Sequence, residues 1–225
     1  MIRRADQPDR GPRLGILGGG QLALMLAEAA VRQGASPVVL ATTDDAPAAA
    51  VAHDLVVGAL DDPAALRRLL ARVDVVTLEN EFLDLARIGD AGRATPYVPL
   101  RPGAGAVSVA QDKLAQKRLF ADLNVPAAPH LVIDADGRDR DLARAHERFP
   151  GGFVLKWSRF GYDGRGNLVV HDEADPGPAA VREFCGRAIA RGAVVYAERK
   201  VDFAAELAMV GARDADGRLV CFPLV

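Results

Sequence analysis

Short apolar runs alternate with amphipathic segments over the first hundred residues. The runs RLGIL, PVVLA, DLVVG and VDVVTL have the length and the β-branched content of buried strands, and YVPL is expected to be a fifth strand. After the first run, apolar side chains recur at helical spacing until Gly34: Leu22, Met25, Leu26, Ala29 and Ala30. Asp62 and Pro63 mark the start of another helix. This alternation predicts an α/β fold with a doubly wound, Rossmann-like parallel sheet over residues 14–108.

The pattern changes at the Pro/Gly-rich stretch RPGAGAV, which begins at Arg101. A helix is expected over 112–123, and strands at HLVID, GGFVLKW, NLVVH and AVVYAER. Apolar spacing predicts two further helices, around His146 and around Phe184, and the chain ends in an expected hairpin that turns at Asp216-Gly217. These elements predict an α+β domain over residues 109–225, with a subdomain at about 127–203. Residues 1–13 are expected to form a disordered tail.

Composition and charge narrow the classes of protein. Half of the 225 residues are hydrophobic and 26% are charged, which is typical of a globular protein. The net charge is −2 and the basic residues are scattered, so a nucleic-acid partner is not expected. Two cysteines in a chain of this length favour a reducing, cytoplasmic location. No apolar run has the length of a membrane span, and the basic start followed by LGILGGGQLALMLAEAA continues as a helix with Glu28 rather than as a secretory signal.

The first glycine-rich stretch, GGGQLA, lies between a predicted strand and a predicted helix. Glycines in such a turn let the backbone approach a ligand, and a helix start offers unpaired N–H groups to an anion. A nicotinamide site would also need an acid at the end of the second strand, whereas Asp44 and Asp45 come a few residues later. A bound phosphate or sugar phosphate, a purely structural turn and a nicotinamide-binding oxidoreductase module therefore remain open.

The second glycine-rich stretch, FGYDGRGN, follows the predicted strand FVLK and joins it to another strand. No Gly-Lys-Ser/Thr follows, so the stretch is not a Walker loop. It is either an ordinary hairpin turn or a mobile loop over phosphates, with glycine N–H donors and the charge of Arg165. Lys156 is the last residue of FVLK. Near phosphates it would supply a fixed positive charge, and elsewhere it would be a solvated lysine.

Two carboxylates are spaced by eight residues in the stretch YAERKVDFAAEL. Glu198 is expected to end one strand and Glu206 to begin the next. They are either solvated side chains or parts of a nucleotide-binding hinge. In the hinge, Glu198 would accept a hydrogen bond from an adenine amino group, the backbone near Val201 would meet the ring, and Glu206 would hold ribose hydroxyls.

Together these motifs resemble the ATP-grasp superfamily and, within it, the 5-(carboxyamino)imidazole ribonucleotide synthase family. The matching segments follow the family order over nearly all of the chain after the tail: GILGGGQLALMLAEAA, DAPAAAVAH, DVVTLENE, QDKLAQKRLFADLNVPAAP, FVLKWSRFGYDGRGN, AERKVDFAAELAMVGARDADG and FPLV. The resemblance implies a Rossmann-like preATP-grasp domain followed by an ATP-grasp domain.

The resemblance also implies roles for the matching positions. Lys113 falls where a basic residue contacts ATP, and Lys156 falls on the lysine that touches the nucleotide phosphates. The loop that covers the phosphates corresponds to Gly161, Tyr162, Asp163, Gly164, Arg165, Gly166 and Asn167, of which Tyr162 and Asp163 also face the imidazole substrate. The adenine hinge and the ribose carboxylate correspond to Glu198, Arg199, Lys200, Val201 and Glu206. The substrate side corresponds to Gln21, Leu22, Glu79 and Glu81.

The reaction implied by the resemblance is ATP-dependent carboxylation of 5-aminoimidazole ribonucleotide in purine biosynthesis. Bicarbonate attacks the γ-phosphate of ATP, and the resulting carboxyphosphate supplies carbon dioxide to the exocyclic amine. The implied cofactors are ATP and Mg²⁺, and the implied assembly of full-length members is a homodimer. The chain corresponds to the N-terminal part of the family, so the Mg²⁺ ligands and the catalytic arginine are expected beyond Val225. Alone it is expected to be inactive, and the alternative is a non-catalytic nucleotide- or sugar-phosphate-binding fragment.

Three departures from the family pattern stand out. The chain has LENEF where members usually have YEFEN, so the substrate-side carboxylates are expected to be shifted. Phe160 replaces the first of two glycines at the start of the second loop, which should stiffen that loop. Arg199 and Lys200 stand where the hinge usually carries apolar or small residues.

Overall fold

The computed structural model of the chain describes residues 11–93, 98–161, 164–171 and 174–225. Contacts divide the chain into two compact units, the first reaching to Pro126 and including Ser158–Phe160, the second comprising Ala127–Trp157 and Gly161–Val225. Contacts group residues 109–126 with the first unit, whereas the sequence predicts a domain boundary at residue 108. That boundary stays a prediction. Of the expected tail, residues 1–10 lie outside the described residues and Arg13 already belongs to a strand.

The first unit contains a parallel sheet. Its strands are β1 (Arg13–Leu17), β2 (Ser36–Ala41), β3 (Asp54–Val57) and β4 (Val75–Leu78). Its helices are α1 (Gln21–Arg32), α2 (Pro63–Leu70), α3 (Leu85–Arg93), α4 (Ala104–Ala110) and α5 (Lys113–Asp122), with a short 3₁₀ helix at Pro47–Ala50. The strand order is β3-β2-β1-β4 and every pair is parallel, which confirms the predicted doubly wound sheet.

Side chains of the first sheet alternate between two buried clusters, as strands covered on both faces require. Val38 and Leu40 of β2 pack with α2 and α3, whereas Val39 and Ala41 pack with α1. Asp62 caps α2 as predicted, because its carboxylate accepts hydrogen bonds from the amides of Ala64 and Ala65.

Helix α1 buries a different face from the one that the large apolar residues suggest. Its buried residues are Ala23, Ala27 and Ala30. Leu22 and Met25 are instead 55% and 63% exposed. Small side chains at spacings of three and four residues let the helix backbone approach the sheet closely, so the alanines occupy the contact.

The predicted fifth strand is absent from the described part of YVPL, and Tyr97 lies outside the described residues. Leu100 forms only an isolated parallel bridge to Val76, although the amide of Val76 donates to Pro99 O and the amide of Arg101 to Val76 O. Pro99 has no N–H to donate, and prolines at positions 99 and 102 limit a ladder to this short contact.

The second unit contains an antiparallel sheet. Its strands are β5 (His130–Ile133), β6 (Phe153–Trp157), β7 (Asn167–Val170) and β8 (Val195–Arg199), in the order β5-β8-β6-β7. Its helices are α6 (Arg138–Arg148) and α7 (Pro178–Ile189). Ring contacts of His146 on α6 with Phe153, and of Phe184 on α7 with Trp157, place both helices against the same face of β6.

The last part of the chain is the predicted hairpin, made of β9 (Gly211–Arg213) and β10 (Leu219–Cys221). Its turn is held by Asp214, whose carboxylate accepts hydrogen bonds from the amides of Asp216 and Arg218. Gly217 has a φ of 84°, the left-handed conformation that glycine adopts without penalty.

Candidate functional site

The glycine-rich turn after β1 is closed by a carboxylate from the end of β4. Glu79 Oε2 accepts a hydrogen bond of 3.1 Å from the amide of Gly20, the residue before α1. A β-carbon at Gly18 or Gly20 would overlap this carboxylate, and Gly18 also has a φ of 117°. Gly18 is therefore required by its φ and by the close approach of Glu79 Cβ, whereas a β-carbon at Gly20 would push aside the end of the Glu79 side chain.

This contact bears on the anion site expected at the same turn. A carboxylate at a helix N-terminus takes the amide that an anionic ligand would otherwise use. A phosphate bound at the Gly20 amide would have to displace Glu79. Gln21 and Leu22 are the first two residues of α1 and are both exposed.

Glu81, the other expected substrate carboxylate, lies in the turn between β4 and α3. Its main-chain oxygen accepts a hydrogen bond of 2.6 Å from Gln111 Nε2, and the same nitrogen donates to Leu83 O at 2.8 Å. Gln111 was not among the sequence-predicted residues, although it lies two positions before Lys113. Lys113 begins α5, and its amide donates to Ser158 O at 2.8 Å.

A lysine and a carboxylate meet on one face of the second sheet. Lys156 Nζ lies 2.5 Å from Glu198 Oε1, and their side chains are 27% and 14% exposed. Val154 pairs with Glu198 in the register of β6 and β8, so Lys156 and Glu198 are diagonal neighbours on the same face. The opposite face of β6 carries buried Phe153, Leu155 and Trp157.

Three more residues share the face of Lys156 and Glu198. His130 pairs with Glu198, Tyr196 pairs with Lys156, and Asn167 pairs with Lys156 on the other side. The rings of His130 and Tyr196 make an edge contact at 6.0 Å. The sequence prediction included Asn167 but missed His130 and Tyr196. The two-residue period of a strand could have identified Tyr196, which lies two positions before Glu198.

The second glycine-rich stretch connects β6 to β7, as predicted. Tyr162 and Asp163 lie outside the described residues, and Asn167 is the first residue of β7. Gly164 and Gly166 have φ values of 74° and 78°. The amide of Trp157 donates to Gly166 O at 2.9 Å, and a β-carbon at Gly166 would lie 3.2 Å from the indole of Trp157. Gly166 is thus needed both for its conformation and for its contact with the buried indole, while Gly164 and Arg165 are exposed.

Phe160, at the start of that stretch, has a φ of 61°. This is the left-handed region, which is unfavourable for a bulky side chain. The replacement of a glycine by Phe160 therefore places a phenylalanine in a conformation that glycine accepts more readily.

The expected adenine hinge follows β8. Arg199 ends the strand, and its amide donates to Pro129 O at 2.9 Å, while the amide of Lys200 donates to Gly152 O at 3.4 Å. Val201 is 47% exposed. Glu206 does not begin a strand as predicted: it is exposed and precedes β9, which starts at Gly211. Tight pairing in this hairpin begins only at Ala208, which exchanges hydrogen bonds with Val225.

An aspartate and a cysteine of the second unit have shifted pKa values. Hydrogen bonds from Arg140 and the amide of Asp134 lower the pKa of Asp141 from 3.8 to about 2. Burial raises the pKa of the Cys185 thiol. Asp141 lies on α6 and Cys185 on α7, the helices that pack against the face of β6 opposite to Lys156.

The described ranges of the chain contain neither a candidate metal cluster nor a membrane-spanning helix. No three histidine, cysteine, aspartate or glutamate side chains come together there in a way that could hold a metal ion. None of the helices in that part of the chain is both long enough and apolar enough to cross a membrane.

Two protein families match consecutive parts of the chain. Residues 12–111 match the family described as the ribonucleotide synthetase preATP-grasp domain, and residues 118–225 match the ATP-grasp domain. An N5-carboxyaminoimidazole ribonucleotide synthase of Synechococcus elongatus is 36% identical over 214 residues, covering 94% of this chain and 51% of the relative.

Two solved structures from Aspergillus clavatus share the fold. A carboxyaminoimidazole ribonucleotide synthase complexed with ATP matches with a TM-score of 0.80 and 30% identity, over 95% of this chain and 53% of that chain. An N5-carboxyaminoimidazole synthase in complex with ADP and 5-aminoimidazole ribonucleotide matches with a TM-score of 0.80 and 29% identity. The match covers 96% of this chain and 53% of that chain.

The two consecutive domain matches, over residues 12–111 and 118–225, identify the chain as an ATP-grasp protein. Within that class, the chain is similar to N5-carboxyaminoimidazole ribonucleotide synthases. It spans about half the length of the curated relatives it matches, at 51% and 48% for two of them.

Proposed function

We propose that the protein is an ATP-grasp carbon–nitrogen ligase that carboxylates 5-aminoimidazole ribonucleotide with bicarbonate. The products are 5-(carboxyamino)imidazole ribonucleotide, ADP and phosphate, in the route to purines. The observation that carries the proposal is the Lys156–Glu198 pair on a sheet face that borders the second glycine-rich stretch. The proposal includes a cytoplasmic location and a homodimer of the full-length protein.

The nucleotide is assigned to residues of the second unit. Lys156 neutralises charge on the phosphates, and N–H groups of Gly161–Asn167 cover them, with Arg165 adding a positive charge. Glu198 accepts a hydrogen bond from the adenine amino group, the backbone at Arg199, Lys200 and Val201 borders the ring, and Glu206 holds the ribose hydroxyls.

The ribonucleotide substrate is assigned to Gln21, Leu22, Glu79 and Glu81 of the first unit. Phosphoryl transfer depends on positioning and on charge neutralisation rather than on covalent chemistry by the protein. The residues of this chain act in that sense by orienting ATP. The family implies Mg²⁺ as well, but the described residues form no cluster that fits it, so we assign it no ligand here.

Titration calorimetry with a non-hydrolysable ATP analogue tests the nucleotide site. We expect Lys156→Met to weaken binding about tenfold or more, as loss of a charge-assisted contact does. Lys117→Met, on α5, removes the same charge outside the assigned site and should bind as the parent chain does. ADP release with bicarbonate and 5-aminoimidazole ribonucleotide, measured beside a full-length relative, tests the reaction. Since the chain alone is expected to be inactive, binding without turnover agrees with the proposal, and turnover comparable to that of the full-length relative would contradict this expectation. No binding at saturating analogue would overturn the nucleotide assignment.

A further inference from the structure

Three consecutive residues after β6 belong to the first unit rather than to the second. Contacts assign Ser158–Phe160 to the unit that contains α1 to α5, and Gly161 to the unit that contains β6. The chain therefore leaves the first unit at the peptide bond between Phe160 and Gly161. That bond is also the start of the glycine-rich stretch assigned to the phosphates.

Two hydrogen bonds hold the first part of this tripeptide. Ser158 is 2% exposed, and its main-chain oxygen accepts from the amide of Lys113 at 2.8 Å. Arg159 donates to Gln111 Oε1 at 3.1 Å. The side-chain amide of Gln111 is itself fixed, because its nitrogen donates to two main-chain oxygens of the turn after β4.

Phe160 is held by its ring. The centroid of the ring lies 6.5 Å from that of Phe82, with 33° between the planes, and the Arg159 guanidinium carbon lies 5.5 Å from the Phe160 centroid. Both distances fall in the range of favourable aromatic and cation–π contacts. Phe82 remains 40% exposed.

The backbone of Phe160 shows why these contacts matter. A left-handed φ of 61° is strained for phenylalanine and persists only where the surroundings over-determine it. The hydrogen bonds of Ser158 and Arg159 and the contact with Phe82 are such surroundings. Strained backbone conformations cluster at ligand-binding segments, where they set the direction of the chain.

We infer that Phe160, held against Phe82, is a positioning residue that fixes the first peptide of the glycine-rich stretch for binding nucleotide phosphates. The identity of the ligand in this inference rests on the proposed function. The contacts and the conformation of Phe160 do not depend on it. Pre-ordering this peptide lowers the entropy that is lost when it binds the phosphates of a nucleotide. A glycine at position 160 would adopt the same φ without strain, yet it would leave that end free to move.

Hydrogen exchange of the whole chain without nucleotide tests the geometry. We expect Phe160→Gly and Phe82→Ala each to speed exchange at Gly161 and Gly164–Asn167 by about three- to tenfold, the range for loss of an aromatic pair. Phe82→Tyr keeps the ring pair and should restore the parent rates. Met25→Ala, which truncates an exposed side chain of α1, is the control.

The set of amides whose exchange becomes faster shows whether Phe160 positions the glycine-rich stretch or supports the fold of the first unit in general. Faster exchange confined to the glycine-rich stretch supports the inference. Unchanged exchange there in both variants, or an equal rise across the first unit, overturns it. Affinity for the ATP analogue should fall by about threefold in Phe160→Gly and Phe82→Ala but not in Phe82→Tyr. If the chain binds no analogue, the proposed function fails, while the exchange result still decides the role of Phe160.

Discussion

Lys156 Nζ and Glu198 Oε1 lie 2.5 Å apart on adjacent strands of the second sheet. The family resemblance gives these residues separate tasks, one at the phosphates and one at the adenine. In this structure they neutralise each other, because the register of β6 and β8 makes them diagonal neighbours on one face. If a nucleotide bound at this face, Lys156 would exchange Glu198 for the phosphates, and Glu198 would exchange Lys156 for the adenine amino group.

We expect removal of one member of this pair to destabilise the second unit. Lys156→Met leaves the carboxylate of Glu198, which is only 14% exposed, without this cation. The free energy of unfolding should fall by about 1–3 kcal/mol, the range for taking a charged partner from a partly buried group. Urea unfolding of Lys156→Met, Glu198→Gln and the double variant measures it.

The double variant is the control for the Lys156–Glu198 pair. Since it removes both charges, its loss of unfolding free energy should be smaller than the sum of the two single losses by about 1 kcal/mol. Additivity within about 0.3 kcal/mol would show that the two side chains are not coupled.

A second prediction concerns the turn that Glu79 closes. In Gly20→Ala the new β-carbon meets the carboxylate of Glu79 and breaks its hydrogen bond to the Gly20 amide. We expect a loss of about 1–2 kcal/mol in unfolding free energy. Gly89→Ala is the matched control, because a β-carbon there has nothing within 4 Å and the position lies inside α3. It should gain about 0.5–1 kcal/mol.

The steric cause can be tested in the Glu79→Ala background. There the substitution Gly20→Ala meets no carboxylate, so its effect on unfolding should nearly vanish. An equal loss in both backgrounds would contradict the contact with Glu79 as the cause.

A third prediction follows from Asp141, whose pKa of about 2 lies below its ordinary 3.8. A carboxyl group with a lowered pKa in the folded state stabilises the fold when it is ionised. Its contribution is complete above about pH 4 and is lost as the pH falls towards 2. Asp141→Asn should therefore lower the thermal midpoint at pH 6, and the difference from the parent chain should shrink towards pH 2.

Asp139→Asn is the control for Asp141. Asp139 lies in the same helical turn and binds Arg138, but its side chain is 84% exposed. Its substitution should change the midpoint little at any pH, since exposed ion pairs contribute little. An equal, pH-independent shift in both variants would show that the hydrogen bonds of Asp141 do not stabilise its ionised form.

The parts of the fold that sequence predicted are those where local pattern and tertiary packing agree. The strands of the first sheet are short apolar runs, and Asp62 caps α2 through its own neighbouring amides, so both can be recognised without knowledge of the rest of the chain. The strands β6 and β7, on either side of the second glycine-rich stretch, could be predicted because they too are short apolar runs.

Other features depend on distant residues and could not be predicted in this way. The buried face of α1 is set by how closely the helix approaches the sheet, which favours Ala27 over Met25. The role of Glu79 depends on a contact with Gly20 across 59 positions of the chain. The pairing of Lys156 with Glu198 depends on the register of two strands whose residues lie 42 positions apart in the chain.

A last prediction separates the two cysteines by their surroundings. Cys185 is 3% exposed in α7, where burial raises the pKa of its thiol and so disfavours the reactive thiolate. Cys221 is exposed in β10. With a chromogenic disulfide reagent at pH 8, the native chain should therefore show one fast thiol, and the second should react only as fast as the second unit opens. Cys221→Ser should remove the fast phase, whereas Cys185→Ala should leave it intact. In denaturant both thiols should react together, because the burial that distinguishes them is then gone. Two fast thiols in the native chain would show that α7 does not stay packed over Cys185.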